Sequence, residues 1–287
     1  MINKLVIIGV GLIGGSVARA LRRVDFCHEI VGCGRDEPSL IKAVELDVID
    51  RYEMDLAQAV KDADMVLLAV PMGAMDSVIE VLADCLEGHT IVTDAGSAKL
   101  SVVESAKRYL GKHVSNFVPG HPIAGTEHSG VEASFAELYN NRRVILTPVE
   151  DTSPQALETV RKMWQAAGAY VEDMPVLQHD EVLAATSHLP HLLAYNLINT
   201  LIQLDETEEI FRFSAGGFRD FTRIASSSPK MWLDIFLTNR QGVLPVLDQY
   251  IEDLTALRKA IDASDSKFLL EKFDNAKAAR DRHISDN

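Results

Sequence analysis

The sequence has few cysteines and no long apolar run, and both shortages exclude classes of protein. Its three cysteines, Cys27, Cys33 and Cys85, among 287 residues show neither a CxxC pair nor the spacing of metal ligands. This argues against a disulfide-stabilised secreted protein and predicts a reducing, cytoplasmic location. No apolar segment approaches the roughly 20 residues of a membrane helix, and Met1 leads directly into a short apolar stretch without a signal-peptide pattern. No membrane partner is therefore expected.

Basic residues are also scarce, with 28 Lys and Arg against 42 Asp and Glu, for a net charge of −14. Nucleic-acid-binding domains are usually basic, so no nucleic-acid partner is expected. An anionic small-molecule substrate remains compatible with this charge, because a few arginines create a positive pocket in an acidic protein. The chain is long enough for one large or two modest domains with a real core.

The beginning of the chain has the pattern of a strand, a glycine turn and a helix. Residues 4–8 are apolar and mostly β-branched, and apolar residues recur at helical spacing from Val17 to Val24. Between them, three glycines allow a tight turn, the approach of a pyrophosphate and close packing of helix on strand. The alternative is a glycine-rich turn without a ligand. We predict a nicotinamide dinucleotide with its phosphates at the helix N-terminus, held by Gly9, Gly11, Leu12, Ile13 and Gly14.

The end of the second predicted strand, residues 29–33, bears on the choice between NAD and NADP. An acidic residue at this position binds the adenosine ribose of NAD, whereas an arginine accommodates the 2′-phosphate of NADP. Here Gly34 stands at the acidic position and Arg35 follows, which favours NADP. The alternative is that Arg35 is a solvated loop charge and that Asp36 reaches the ribose.

Strands and helices alternate up to about residue 173, and then only helical spacing remains. The expected strands after residue 33 are 65–70, 90–93, 114–118, 143–147 and 169–171. This predicts a Rossmann-like, doubly wound α/β sheet in residues 1–173 and an all-α domain in residues 174–287. Such long apolar helices cannot all bury their faces in a compact monomer, so we predict a homodimer through the C-terminal helices.

His121 lies in the segment 119–130, Pro-Gly-His-Pro-Ile-Ala-Gly-Thr-Glu-His-Ser-Gly. Gly120 permits unusual backbone angles and Pro122 biases His121 away from the helical region, so we expect the histidine on a fixed turn. Ligands of doubly wound sheets bind beyond the carboxyl ends of the strands. The glycine turn, Pro71, Ser97 and His121 all follow predicted strands, so we expect them around one site.

Four polar segments stand outside the apolar pattern. They are Asp94-Ala-Gly-Ser97-Ala-Lys99, Gly120-His121-Pro-Ile-Ala-Gly-Thr-Glu127, His179-Asp180 with Ser187-His188-Leu-Pro-His191, and Gly216-Gly217-Phe-Arg219-Asp220-Phe-Thr-Arg223. With the glycine turn, they resemble the prephenate/arogenate dehydrogenase family of tyrosine biosynthesis, in the family's order. The resemblance implies that NAD or NADP takes a hydride from the carbon bearing the ring hydroxyl. Decarboxylation then gives 4-hydroxyphenylpyruvate from prephenate or tyrosine from arogenate.

The resemblance also implies roles for individual residues. His121 corresponds to the catalytic base, which suits the ordinary pKa of a histidine. Ser97 corresponds to the serine that hydrogen-bonds the substrate hydroxyl and the histidine, and Arg223 to the carboxylate-binding arginine. The further expected contacts are His191, Thr126, Glu127 and Arg219 for the substrate, and Val70, Pro71 and Ser97 for the cofactor.

Each of these residues has a simpler interpretation. His121 alone is equally compatible with a structural loop histidine, Ser97 with a helix N-cap ahead of Leu100, and Arg223 with a surface ion pair. We interpret His179 and His188 as structural and Trp232 as core. No third ligand accompanies His188 and His191, so no metal is expected. Because Pro190 lacks an N–H, we also expect a bend in the helix that carries these histidines.

Two other functions fit parts of the pattern. A β-hydroxyacid dehydrogenase or imine reductase shares the architecture and commonly uses a lysine on its helical domain. Lys230 is the only lysine between Lys162 and Lys259 and stands at a helix start after Ser228-Pro229, which weakens this alternative. A non-enzymatic NAD(P)-binding redox sensor would need the glycine turn but not His121, Ser97 and Arg223 together.

Overall fold

The first part of the chain alternates strands and helices, as the sequence predicts. The computed structural model describes residues 2–204 and 207–284. Its elements as far as residue 109 are β1 (Ile2–Ile8), α1 (Leu12–Arg23), β2 (Cys27–Cys33), α2 (Glu37–Glu45), β3 (Arg51–Glu53), α3 (Leu56–Val60), β4 (Met65–Leu68), α4 (Met72–Ala83), β5 (Ile91–Asp94) and α5 (Leu100–Tyr109). Apolar periodicity did not predict α2, β3 and α3, because these elements span nine, three and five residues.

Six strands form one parallel sheet in the order β3-β2-β1-β4-β5-β6, where β6 is Phe117–Val118. This is the strand order of a Rossmann sheet, so the predicted fold class is confirmed. The central strands carry apolar residues on both faces, because helices cover both sides. Leu5, Val6 and Ile7 of β1 and all of β4 are fully buried. The direction of winding reverses between β1 and β4, which places the switch point at their carboxyl ends.

A second, three-stranded sheet holds His121. In it β7 (Gly120–Pro122) pairs antiparallel with β8 (Arg143–Leu146), and β8 pairs parallel with β9 (Tyr170–Asp173). The sequence predicted a single sheet up to residue 173 and a turn at His121, and both details are wrong. The chain leaves the parallel sheet after β6, and β7 then joins the edge of β8. His121 pairs with Ile145, so strand pairing holds its backbone.

Beyond residue 175 the described chain is helical, which confirms the predicted all-α region. Helix α6 (Pro154–Ala166) precedes β9. The helices after β9 are α7 (Val176–Leu183), α8 (Leu189–Leu201), α9 (Thr207–Arg212), α10 (Gly216–Thr222), α11 (Pro229–Thr238), α12 (Arg240–Asp262) and α13 (Ser266–His283). A π-helical turn, Ala184–His188, joins α7 to α8. Pro190 cannot donate to the carbonyl of Thr186, so the helix widens just where the sequence predicted a bend.

Packing divides the chain into two compact units, Met1–Gly242 and Val243–Asn287. The first contains both sheets together with α7 to α11. The second contains most of α12 and all of α13, on which Ile251, Leu254 and Phe273 are exposed. Among the residues that the structure describes, no helix combines the length and the apolar character needed to cross a membrane.

Candidate active site

The turn between β1 and α1 has the shape of a dinucleotide cradle. Gly9 has a φ of +96°, and a Cβ there would lie 2.5 Å from the carbonyl oxygen of Ala69. A Cβ at Gly14 would lie 2.3 Å from the carbonyl oxygen of Gly9, so only glycine lets α1 approach β1 this closely. No heavy atom lies within 4 Å of the Cβ position at Gly11. The N-cap residue of α1 is Gly11, which has no side chain to cap the helix, so the backbone N–H groups there can receive a pyrophosphate.

The other predicted cofactor residues lie along the same edge of the sheet. The Leu12 side chain is buried, so only its backbone can contact a cofactor, and the Ile13 carbonyl accepts a hydrogen bond from Tyr139 Oη at 2.7 Å. Val70 is half-buried, and Pro71 is exposed at the start of α4. These residues follow β1 and β4, which flank the switch point.

Arg35 is exposed directly after β2 and has no hydrogen-bond or ion-pair partner among residues 2–204 and 207–284. Asp36, by contrast, accepts a hydrogen bond from the hydroxyl of Ser39. A Cβ at Gly34 would make only ordinary contact, 3.8 Å from Leu40. The Arg35 guanidinium, just beyond the end of β2, is therefore uncompensated within the described chain.

His121 belongs to a buried chain of hydrogen bonds that the sequence did not reveal. Its Nδ1 lies 2.8 Å from Nε2 of His179, and Nδ1 of His179 lies 2.8 Å from Oδ1 of Asp180. The backbone N–H groups of Lys99 and Leu100 donate to the two Asp180 oxygens at 2.7 and 2.9 Å. All three titratable side chains are at least nine-tenths buried.

This series of hydrogen bonds determines which nitrogen of His121 carries a proton. Hydrogen bonds from His179 and two backbone N–H groups lower the pKa of Asp180 against the opposing effect of burial, so its carboxylate only accepts. His179 must then donate from Nδ1 and accept at Nε2. His121 therefore donates from Nδ1, which leaves the lone pair on its Nε2. The arrangement presents His121 Nε2 as a base.

Burial also keeps His121 uncharged at neutral pH. Desolvation lowers the pKa of His121 well below 6.5, and the nearby His179, Lys99 and His188 lower it further. His179 likewise has a lowered pKa, chiefly through burial, although its bond to Asp180 acts in the opposite direction. A neutral imidazole with a free lone pair is the state that a general base requires.

Asp180 also replaces Ser97 as the cap of α5. The N-cap residue of α5 is Lys99, and the N–H groups at this helix start bond to Asp180. The N-cap interpretation of Ser97 is therefore wrong. Ser97 is half-buried in the loop between β5 and α5. The sequence shows the adjacent His179 and Asp180 as a polar pair within an apolar helix pattern. It does not indicate which residues they contact.

The π turn places two further histidines against Trp232, which is 6% exposed as its core interpretation predicts. His191 stacks on the indole, with ring centroids 3.7 Å apart, and its Nδ1 lies 2.8 Å from the carbonyl oxygen of Ser187. His188 is buried, and Asn239 lies 3.1 Å from its Nδ1. Burial lowers the pKa of His188 to about 4, which agrees with a structural role.

A cavity of about 620 Å³ is lined by the predicted carboxylate-binding Arg223 and by Arg219, a further predicted substrate contact. Its wall includes Tyr195, Asn199, Phe211, Phe218, Arg219 and Arg223. The charge of Arg223 also reaches His191, whose pKa is lowered first by burial and then by this arginine. Neither guanidinium has an ion-pair partner within residues 2–204 and 207–284, so the surface-ion-pair interpretation of Arg223 is wrong for this part of the chain.

Thr126 and Glu127 lie on an exposed loop after β7. The Thr126 hydroxyl accepts a hydrogen bond from the backbone N–H of His128 at 3.2 Å. Over the described ranges, no group of three His, Cys, Asp or Glu side chains is placed to hold a metal ion.

Two family models match this chain in succession. The model of the prephenate dehydrogenase nucleotide-binding domain matches residues 17–173, and that of the prephenate dehydrogenase dimerization domain matches residues 176–275. Together they cover most of the sequence, including His121, His179 and Asp180 as well as Arg219 and Arg223.

Three individual proteins similar to this chain are cyclohexadienyl, prephenate and arogenate dehydrogenases. Cyclohexadienyl dehydrogenase of Zymomonas mobilis is 42% identical over 97% of this chain and 95% of its own length. The crystal structure of prephenate dehydrogenase from Aquifex aeolicus in complex with hydroxyphenyl propionate and NAD+ is 38% identical, with a TM-score of 0.92 over 98% of each chain. Arogenate dehydrogenase from Synechocystis is 28% identical, with a TM-score of 0.82 over 98% of this chain and 100% of its own.

Proposed function

Because this chain belongs to the prephenate dehydrogenase family, we propose that it oxidatively decarboxylates prephenate, arogenate or both, with a nicotinamide cofactor as oxidant. The observation that carries this proposal is the neutral, buried His121, whose Nε2 is the free base of the His121–His179–Asp180 chain. A dinucleotide held by its pyrophosphate at the Gly9–Gly14 turn would supply, through its nicotinamide ring, a hydride acceptor for the substrate carbon that bears the hydroxyl.

In this proposal His121 Nε2 takes the proton of the substrate hydroxyl as the hydride leaves that carbon. The imidazolium that forms is stabilised by His179 and, through it, by the Asp180 carboxylate. Ser97, on the loop beside β7, hydrogen-bonds the same hydroxyl and orients it. The ketone so produced draws electrons from the breaking carbon–carbon bond, carbon dioxide leaves and the ring becomes aromatic.

In the proposal, Arg219, Arg223 and His191 bind the parts of the substrate other than its reacting hydroxyl. Prephenate and arogenate both carry two carboxylates, and a guanidinium matches a carboxylate with two parallel hydrogen bonds. The free guanidinium of Arg223, with Arg219 nearby in the same cavity, supports this assignment. We place His191 beside the ring and Thr126 and Glu127 on the wall of the pocket.

Kinetics with four substrate and cofactor pairs test the proposed function. Prephenate or arogenate is combined with NAD or NADP, and formation of the reduced cofactor is followed by its absorbance. We expect turnover of at least one cyclohexadienol and none of simple 3-hydroxyacids. Turnover of 3-hydroxyacids alone would instead indicate a β-hydroxyacid dehydrogenase, and absence of all turnover with intact cofactor binding would indicate a redox sensor.

We further propose that NADP is the preferred cofactor and that Arg35 binds its 2′-phosphate. The replacement Arg35→Ala is expected to raise the KM for NADP about tenfold, the effect of losing one hydrogen bond to a charged group. The KM for NAD should change less than twofold. Lys42→Ala removes a charge from α2, where it pairs with Glu45, and serves as the control. Unchanged KM values for both cofactors would make Arg35 a solvated loop charge and would assign ribose recognition to Asp36.

The replacement Arg223→Gln is expected to raise the KM for the cyclohexadienol about 30-fold, because a carboxylate loses its charged partner. The KM for the cofactor should not change. Arg212→Gln is the matched control, since Arg212 is exposed, pairs with Glu209 and does not line the cavity. Equal KM values in the two variants would remove Arg223 from the substrate site.

The helices after residue 173 are proposed to form the dimer interface, with a domain boundary between residues 173 and 174. The dimerization-domain match, which begins at residue 176, supports the boundary, and the exposed apolar residues of α12 and α13 support the dimer interface. The cysteines are free thiols, which supports the proposed cytoplasmic location. Light scattering of the purified protein measures the oligomeric state directly, and a monomer would contradict the dimer.

A further inference from the structure

A buried ion pair lies next to the backbone of the His121 strand, and neither of its side chains accepts or donates a proton in the mechanism proposed above. Lys99 and Asp94 are both fully buried, and Lys99 Nζ contacts Oδ2 of Asp94. The same ammonium donates to the carbonyl oxygen of Gly120, the residue before His121, at 2.8 Å. The pair is therefore in direct contact with the backbone of β7.

The Asp94 carboxylate accepts hydrogen bonds from two different segments. Its Oδ2 accepts from the N–H of Gly96 at 2.8 Å, within the loop that carries Ser97. Its Oδ1 accepts from the N–H of Gly120 at 3.1 Å, on the strand that carries His121. Because Lys99 also bonds the Gly120 carbonyl, both backbone polar groups of Gly120 are tied to this pair. A Cβ at Gly120 would lie 3.0 Å from the Asp94 carbonyl oxygen, so the segments are already close.

Stability alone is a weak reason for such a pair. Removing two charges from water is costly, and apolar groups of similar volume often replace a buried ion pair without loss of stability. What the pair supplies is a fixed geometry, because each charged group has several directional partners on different segments. Here those partners lie on the two segments that the proposed mechanism must hold together.

We propose that the Asp94–Lys99 pair is a positioning device that sets the Ser97 loop against the His121 strand, and this inference rests on the proposed function of those two residues. Neither Asp94 nor Lys99 touches the substrate in this role. Their loss should therefore lower kcat and leave the KM for substrate and the dissociation constant of the cofactor nearly unchanged.

A double-mutant cycle separates positioning from folding. Asp94→Asn and Lys99→Met are each expected to lower Tm, because each leaves one buried charge without its partner. The double variant removes both charges, so its Tm should recover at least half of the larger single loss. Its kcat is nevertheless expected to stay at least 20-fold below that of the unchanged protein, with cofactor affinity from fluorescence titration within threefold.

Lys4→Met is the matched control. Lys4 is another buried lysine, whose Nζ donates to the carbonyl oxygen of Lys61 at 2.6 Å, at the amino end of β1 and away from the site. It should lower Tm without a comparable loss of kcat.

Recovery of both Tm and kcat to within threefold in the double variant would overturn the inference, because the pair would then be only structural. If the double variant does not fold, Lys99→Met measured below its Tm decides by the same kcat criterion. Failure of the proposed function is distinguishable, since the unchanged protein would then turn over neither prephenate nor arogenate.

Discussion

Replacing His121 by asparagine is expected to lower kcat/KM for the cyclohexadienol about 10³-fold, within the range attributed to general-base catalysis. Asparagine is similar in size and can still donate a hydrogen bond to His179, so the strand pairing of β7 should survive. Cofactor affinity, measured by fluorescence titration, should stay within threefold of the unchanged value, because the glycine turn is unaffected. Full activity of this variant would exclude His121 as the base.

The pH dependence gives an independent check on the same residue. The base must be unprotonated to act, and burial places the pKa of His121 well below 6.5. The ratio kcat/KM should therefore be constant at neutral pH and fall as the pH drops through this lowered pKa. His121→Asn should lose that acidic limb. If the limb persists unchanged in the variant, another group is responsible for it.

The replacement Asp180→Asn is expected to lower kcat about 10²–10⁴-fold by reversing the hydrogen-bond chain. The amide of asparagine can donate to Nδ1 of His179, which then carries its proton on Nε2. His121 must then accept the hydrogen bond from that N–H at its Nδ1, so its own proton moves to Nε2. The atom that faces the substrate is then no longer a base. The loss should appear in kcat, measured at saturating substrate and cofactor.

Asp180 also caps α5, so the chemical effect must be separated from lost stability. Asp234 offers a matched control, because it is buried on α11 and accepts from the N–H of Gly73 in the first turn of α4 at 3.2 Å. Both Asp→Asn variants should lose about 1 kcal/mol of unfolding free energy, because the N–H groups at the helix start lose a charged acceptor. Only Asp180→Asn should lose turnover by two orders of magnitude. Equal losses of kcat in the two variants would reduce Asp180 to a structural cap.

Local sequence determined the cofactor half of the fold. The apolar runs of β1 and β4, the glycine spacing and the helical stripe of α1 are properties of adjacent residues, and the structure retains each of them. The left-handed φ of Gly9 is likewise a local requirement that only glycine meets without strain. The same reasoning predicted where the helix beyond His179 would deviate, because a proline removes one specific N–H.

Tertiary packing determines the role of each polar residue. His121 and His179 are 58 residues apart, and Asp180 reaches the start of α5 across 81 residues. No local pattern indicates which histidine contacts which carboxylate, so the sequence predicts only a structural role for His179 and a possible cap at Ser97.

The sequence by itself therefore determined the Rossmann framework, the glycine cradle and the identity of the candidate base. Only the tertiary structure decided that His121 lies on an edge strand, that His179 and Asp180 set its tautomer, and that Asp94 and Lys99 tie its strand to the Ser97 loop. The physical reason is that backbone preference and apolar periodicity act over a few residues. The protonation state of a buried histidine, in contrast, depends on every group that packing brings to its two nitrogens.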